Sequence, residues 1–240
     1  MKAVGVSILL TGLLGVSALK ASETRDPVEV EAGRSPDHDR EVKEAIAYLE
    51  GWFGRPIALP PIEVLDTDQP SGVDAPGHFE GGVVRLRPNT LRRAPELRRV
   101  LRHELAHAAV DQRTKGNCPV WVQEGLAQFL DGTNVVGVES ALRRDRLPLV
   151  PLLRLEGPFA FTLGAARTRE QAYRQSASAV SFLALRIGRP GLLFIVDRLG
   201  EGRPFDRALL EAGLSYAELQ QAWSATLGSS SSPLPLERKD

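Results

Sequence analysis

The stretch His103-Glu104-Leu105-Ala106-His107 constrains this chain more than any other. Positions i and i+4 of an α-helix lie on one face, about one turn apart. Two imidazoles placed that way can reach a single zinc ion with bonds of about 2 Å. The glutamate beside the first histidine then faces the open position of the metal, where it can take a proton from water. The pattern demands a helix here and a fold that brings further ligands to it, because catalytic zinc usually takes three protein ligands. The plain alternative is a helix that carries two histidines and no metal, so a third ligand decides the matter.

Asp111 continues the same helix face, but ligands at i, i+4 and i+8 of a straight helix span about 12 Å and cannot converge on one ion. A metzincin would carry a glycine and a third histidine shortly after His107; those positions hold Val110 and Arg113, and the only methionine is Met1, so no Met-turn exists. Asp131 is a possible ligand, although it sits at the end of a helical pattern beside turn residues. Glu124 is the remaining choice.

Glu124 stands in Pro119-Val120-Trp121-Val122-Gln123-Glu124-Gly125-Leu126-Ala127, seventeen residues past His107. The two motifs together resemble the gluzincin metallopeptidases, more narrowly their peptidase MA-like group, with a looser similarity running from about Glu41 to Leu227. The resemblance implies a zincin-like α+β fold, predominantly helical, with a small β-sheet preceding the His103–His107 helix. It implies Zn2+ held by His103, His107 and Glu124, with Glu104 as general base. Many gluzincins carry an acid four residues after the ligating glutamate to orient one histidine; here that position is Gln128, whose amide can still accept an imidazole N–H. The G-x-M-x-N pattern of gluzincin aminopeptidases is absent, so nothing supports that specificity. Attack of water on an amide develops an oxyanion that needs a donor, and Tyr or His often supplies it. His78 and Tyr173 are the candidates, and the segment Tyr173-Arg174-Gln175-Ser176 is similar to one the family places after its ligand helix, which favours Tyr173.

The residues around Glu124 suit a second helix. Asp111 to Asn117 are polar and include Gly116, enough to connect two antiparallel helices. Pro119 can open the second helix, and Val122, Leu126, Phe129 and Leu130 give it an apolar face. Gly125 is expected where the two helices approach closely. On the first helix Leu97, Val100, Leu101, Leu105 and Ala108 form the apolar stripe after Pro95, and Arg98, Arg99 and Arg102 read as a solvated surface.

Elsewhere the apolar spacing predicts a helix from Val42 to Phe53, a short strand at Ile62–Leu65, a loop from Asp66 to Gly77 and an edge strand at Val83–Arg87. That strand could offer an extended peptide an edge to pair with, or form a hairpin without a substrate role. The C-terminal part reads as helices over 168–187 and 190–199, another after Pro204, and a last one over 215–227. Thr168/Gln171 and Ser215/Glu218 fit capping boxes. Cys118 is the only cysteine, which rules out an intrachain disulfide and reads as a small buried residue; His38 reads as solvated.

Lys2 and the apolar run to Ala18 have the form of a cleaved secretory signal, too short to span a bilayer. The domain plan is therefore a signal peptide over 1–18, a flexible lead-in over 19–37, a metallopeptidase domain over 38–227 and a disordered tail over 228–240. The expected location is exported, periplasmic or secreted, with no stable membrane span after cleavage; an uncleaved membrane anchor is the lesser alternative. Thirty basic residues balance thirty acidic ones, so nothing supports nucleic acid as a partner. The expected partner is a peptide or protein substrate. The rivals are a zinc-stabilised binding or assembly protein without activity, and a hydrolase of non-peptide amides at the same metal. A structural site, however, has no need of Glu104 and is usually closed by four ligands.

Overall fold

The computed structural model describes residues 36–66, 75–162 and 165–228. The signal peptide expected over 1–18, the lead-in up to residue 35 and the tail from residue 229 lie outside the described residues. The chain is α+β, with a three-stranded sheet set ahead of a set of helices.

Helix α1 spans Pro36–Phe53 and buries Val42, Ala45, Leu49 and Phe53 at helical spacing. It starts earlier than the apolar pattern predicts, because its first turns are held by polar contacts. Glu41 is buried beneath Arg98, which donates to both its oxygens at 2.7 and 3.0 Å. His38 is not a solvated lead-in residue: its Nε2 lies 3.1 Å from the Leu91 carbonyl.

The sheet has the order β1-β3-β2, with β1 Ile62–Val64, β2 Gly77–Glu80 and β3 Val83–Leu86. β1 runs parallel to β3, and β2 runs antiparallel to it. The Val83 strand is thus central rather than the expected edge. Gly81 and Gly82 explain the difference: both adopt positive φ, 61° and 80°, as the middle pair of a two-residue hairpin turn. They fold Gly77–Glu80, read as loop and strand boundary, back onto β3 as the true edge.

Helix α2, Ala94–Thr114, starts with Pro95 in its first turn and ends on Lys115 in the left-handed region. Its three arginines are not simply solvated. Arg98 holds Glu41, the Arg99 guanidinium lies 3.7 Å from Asp131, and Arg102 stacks 4.1 Å from the Tyr48 ring centroid. Pro119 caps α3, Val120–Asp131. Leu101 and Leu105 of α2 and Leu126 and Leu130 of α3 are fully buried, each contributing about 1.5–3 kcal/mol over exposure.

Helix α4, Val135–Asp145, was not legible as an element; Asn134 caps it by accepting from the Gly137 N–H. The short α5 is Phe159–Thr162. The long α6, Ala166–Gly200, breaks at Gly188 (φ 66°, ψ 175°) before Pro190, which matches the two helices expected over 168–187 and 190–199. Its start at Ala166 places Thr168 inside the helix, so the Thr168/Gln171 box does not form. Helices α7, Phe205–Glu211, and α8, Tyr216–Thr226, follow, and the Ser215–Glu218 capping box is present. α6 packs across α2, α3, α4 and α5. Gly125 serves this packing, not the α2–α3 approach expected of it: a Cβ there would lie 2.3 Å from Val180 Cγ2 and 2.4 Å from the Ser176 carbonyl oxygen, both on α6.

Candidate metal centre

His103, Glu104 and His107 sit mid-way along α2, and Glu124 faces them from α3. One donor atom from each of His103, His107 and Glu124 lies within 4.8 Å of the others. Glu124 Oε2 stands 3.8 Å from His103 Nε2 and 3.6 Å from His107 Nε2, and the two rings meet edge to face with centroids 4.9 Å apart. Among the described residues this is the group of His, Cys, Asp and Glu side chains arranged to hold a metal ion. Asp111 has no part in it, and Cys118 is half-buried with its thiol pushed up by burial.

The donor set fits a cation. Glu124 Oε2 is buried and has no hydrogen-bond partner, which is costly unless a ligand meets it. Burial, opposed by His103 and assisted by Glu104, pushes the Glu124 carboxyl up to about 7. Burial and the neighbouring His103 hold His107 well below the usual imidazole value, so it is neutral and able to ligate. Two nitrogens and one carboxylate oxygen suit zinc among the common ions.

Asp131, an open ligand candidate from sequence, has a different place. Its Oδ2 lies 2.9 Å from His103 Nδ1, behind the ring. The bond fixes the tautomer that turns Nε2 toward Glu124. Asp131 is itself held: its Oδ1 accepts from the Thr133 N–H at 2.8 Å and from the Thr133 hydroxyl at 2.6 Å. Burial opposes charge on His103, but the Asp131 bond and the carboxylates of Glu104 and Glu124 outweigh it and raise its pKa. Gln128 does not orient a histidine as expected. Its amide nitrogen donates instead to the Glu124 and Tyr173 carbonyls, because the imidazole N–H has already found a carboxylate two turns past Glu124.

Glu104 is buried, and burial raises its carboxyl, although His103 and a hydrogen bond from the Phe79 N–H oppose the rise. That donor belongs to β2, which sequence reasoning missed. The Arg87 N–H donates to the Pro76 carbonyl, so in the alternating ladder His78 and Glu80 bond to β3 while Gly77 and Phe79 turn their N–H and C=O groups outward. The outward edge of β2 therefore abuts Glu104, and among the described residues no strand pairs with it. A Cβ on Gly77 would strike Val100 Cγ1 at 2.7 Å, so Gly77 and Phe79 share the face toward α2. His78 falls on the opposite face, across from Arg85, which donates to Glu63 at 3.1 Å.

Tyr173 approaches from α6. Its ring packs edge-on against Phe161, with centroids 5.2 Å apart. Its pKa is raised by burial first and then by the Glu124 and Glu104 carboxylates, so the phenol lies within their electrostatic reach and stays protonated. Of the residues singled out from sequence, His103, His107 and Glu124 thus meet around one point, with Asp131 behind His103, while Asp111, Cys118 and His78 stand apart from it.

Searches of curated proteins and of solved structures found no significant match to the chain. A family profile described as Peptidase MA superfamily matches residues 79–229, which takes in Phe79, both histidines, Glu104, Glu124 and Tyr173. On that match across more than half its length, the chain belongs to the peptidase MA superfamily, whose members are metallopeptidases.

Proposed function

We propose that this protein is a zinc-dependent peptidase of the gluzincin type, exported after removal of residues 1–18, that cleaves peptide or protein substrates and has no nucleic-acid partner. His103, His107 and Glu124 hold the ion, Glu104 is the general base and Tyr173 donates to the oxyanion. When bound, the zinc supplies Lewis acidity and lowers the pKa of water.

The observation that carries the reading is the convergence of one donor atom each from His103, His107 and Glu124 within 4.8 Å of one another. The proposed base, Glu104, stands between the two histidines on α2, against the open outward edge of β2. An extended peptide added antiparallel or parallel to β2 would run its scissile amide past Glu104. The outward carbonyl of Phe79 and the main-chain groups of Gly77 give such a peptide partners that do not depend on its sequence. Glu104, raised by burial, can take a proton from water and return it to the leaving amine. The same strand edge favours peptides over small non-peptide amides, and Glu104 has no role in a purely structural site.

A fluorogenic peptide library assayed with and without chelator tests this. Cleavage should depend on zinc and vanish in Glu104→Gln while that variant keeps its metal; undiminished turnover by Glu104→Gln would remove the base assignment.

A further inference from the structure

Gln128 lies one helical turn after Glu124. Its side-chain nitrogen donates to the main-chain carbonyl of Glu124 at 3.2 Å and to that of Tyr173 at 3.0 Å. Both neighbours only accept, so the NH2 end of the amide must face them. One side chain on α3 therefore ties the backbone of a proposed metal ligand to the backbone of the proposed oxyanion donor on α6. Gly125, against Ser176 and Val180, sets how close the two helices come. The Gln128 bridge adds a directional bond that resists sliding or rotation of one against the other. That matters because the Tyr173 side chain is located by its backbone, which Gln128 holds, and by the Phe161 ring.

We propose that Gln128 is a positioning residue: its bridge between the Glu124 and Tyr173 carbonyls sets where the Tyr173 hydroxyl stands relative to the metal ligands. The inference rests on the reading of the site given above. Two positions on α3 then divide the labour. Asp131 aims His103, and Gln128 aims Tyr173. A glutamate at 128, which would suit the task of orienting a histidine, would here point a carboxylate at two carbonyl oxygens.

The chain has three tyrosines, Tyr48, Tyr173 and Tyr216, so uniform 3-fluorotyrosine labelling gives three fluorine resonances that Tyr→Phe variants assign. Gln128→Met removes the donor and keeps the side chain's length, Gln128→Leu serves if that variant folds poorly, and Asp131→Asn is the comparison. In Gln128→Met the Tyr173 resonance should shift and broaden, with and without zinc, while those of Tyr48 and Tyr216 stay. Its zinc affinity should equal that of the parent, whereas Asp131→Asn should lose about 10–100-fold. In peptide cleavage Gln128→Met should lower kcat by about 10–100-fold at unchanged KM, and should cost nothing more in a Tyr173→Phe background. A Tyr173 resonance identical to the parent's, or a zinc loss matching that of Asp131→Asn, overturns the proposal. Absence of cleavage by the zinc-loaded parent would instead remove the peptidase reading and leave the fluorine comparison to decide the role of Gln128.

Discussion

His103 Nδ1 lies 2.9 Å from Asp131 Oδ2, and Asp131 is seven residues past Glu124 on the same helix. Two turns of helix return a side chain to nearly the same face, so α3 presents a ligand and the brace for another ligand along one line. The carboxylate is held on its far side by Thr133, which leaves it little freedom. Asp131→Asn keeps the shape but weakens the acceptor, and should lower zinc affinity by about 10–100-fold in a chelator competition. Thr133→Val should lower it less, because Asp131 keeps its bond to the Thr133 main chain. An Asp131→Asn protein with parental zinc affinity would leave this bond without a role in metal binding.

Helix separation around the site is set by an absent side chain. Since any Cβ at Gly125 would overlap Val180 and the Ser176 carbonyl, Gly125→Ala must push α3 off α6. Forced overpacking of this kind costs typically about 1–3 kcal/mol. Urea unfolding should show that loss, and zinc affinity should fall with it because Glu124 rides on the displaced helix. An alanine variant as stable as the parent would mean that the contact is loose in solution.

Much of this was legible in the sequence because helices announce themselves locally. His103 and His107 at i and i+4, and Glu124 in a second apolar-periodic segment, needed only helix geometry and a polar connection to be brought together. β2 was not legible. Gly77-His78-Phe79-Glu80 has no β-branched residue and too few positions for alternation, and it becomes a strand only because Gly81-Gly82 turns it onto β3. The partners of Gln128 and Asp131 were hidden for another reason: an amide or a carboxylate on a helix can reach several neighbours, and only the tertiary packing of α6 and α2 decides which. Gly125 was read as a close-approach glycine, correctly, but toward the wrong helix.

Acid should loosen the contact between α1 and α2. Glu41 is 1% exposed, and its carboxyl is held below the usual carboxylate range by its hydrogen bonds with Arg98, against burial, with help from the charges of Arg98 and Arg40. A carboxyl whose folded pKa lies below its unfolded value of about 4.3 adds stability that is complete above that value. The contribution disappears as pH falls through the folded pKa. Glu41→Gln should therefore melt below the parent at pH 7, and the two melting curves should converge as the pH drops below about 4. A gap in Tm that stays constant across this range would show that the variant loses packing rather than the ion pair.

Tyr173 and His78 were the two candidate oxyanion donors, and their positions separate them. Burial, with the charges of Glu124 and Glu104 adding to it, raises the Tyr173 pKa and keeps the phenol protonated, and the ring is held against Phe161. His78 lies on the sheet face turned away from α2, opposite Arg85. A donor acts only where it meets the charge that develops in the transition state, and removing one such donor typically costs about 10²–10³ in kcat. Tyr173→Phe keeps the ring against Phe161 and removes only the hydroxyl, so kcat should fall on that scale while KM and zinc affinity hold. His78→Ala should leave kcat close to the parent's, with any effect confined to KM through the neighbouring strand edge. If His78→Ala lowers kcat and Tyr173→Phe does not, substrate must enter from the other face of the sheet, and the donor assignment passes to His78.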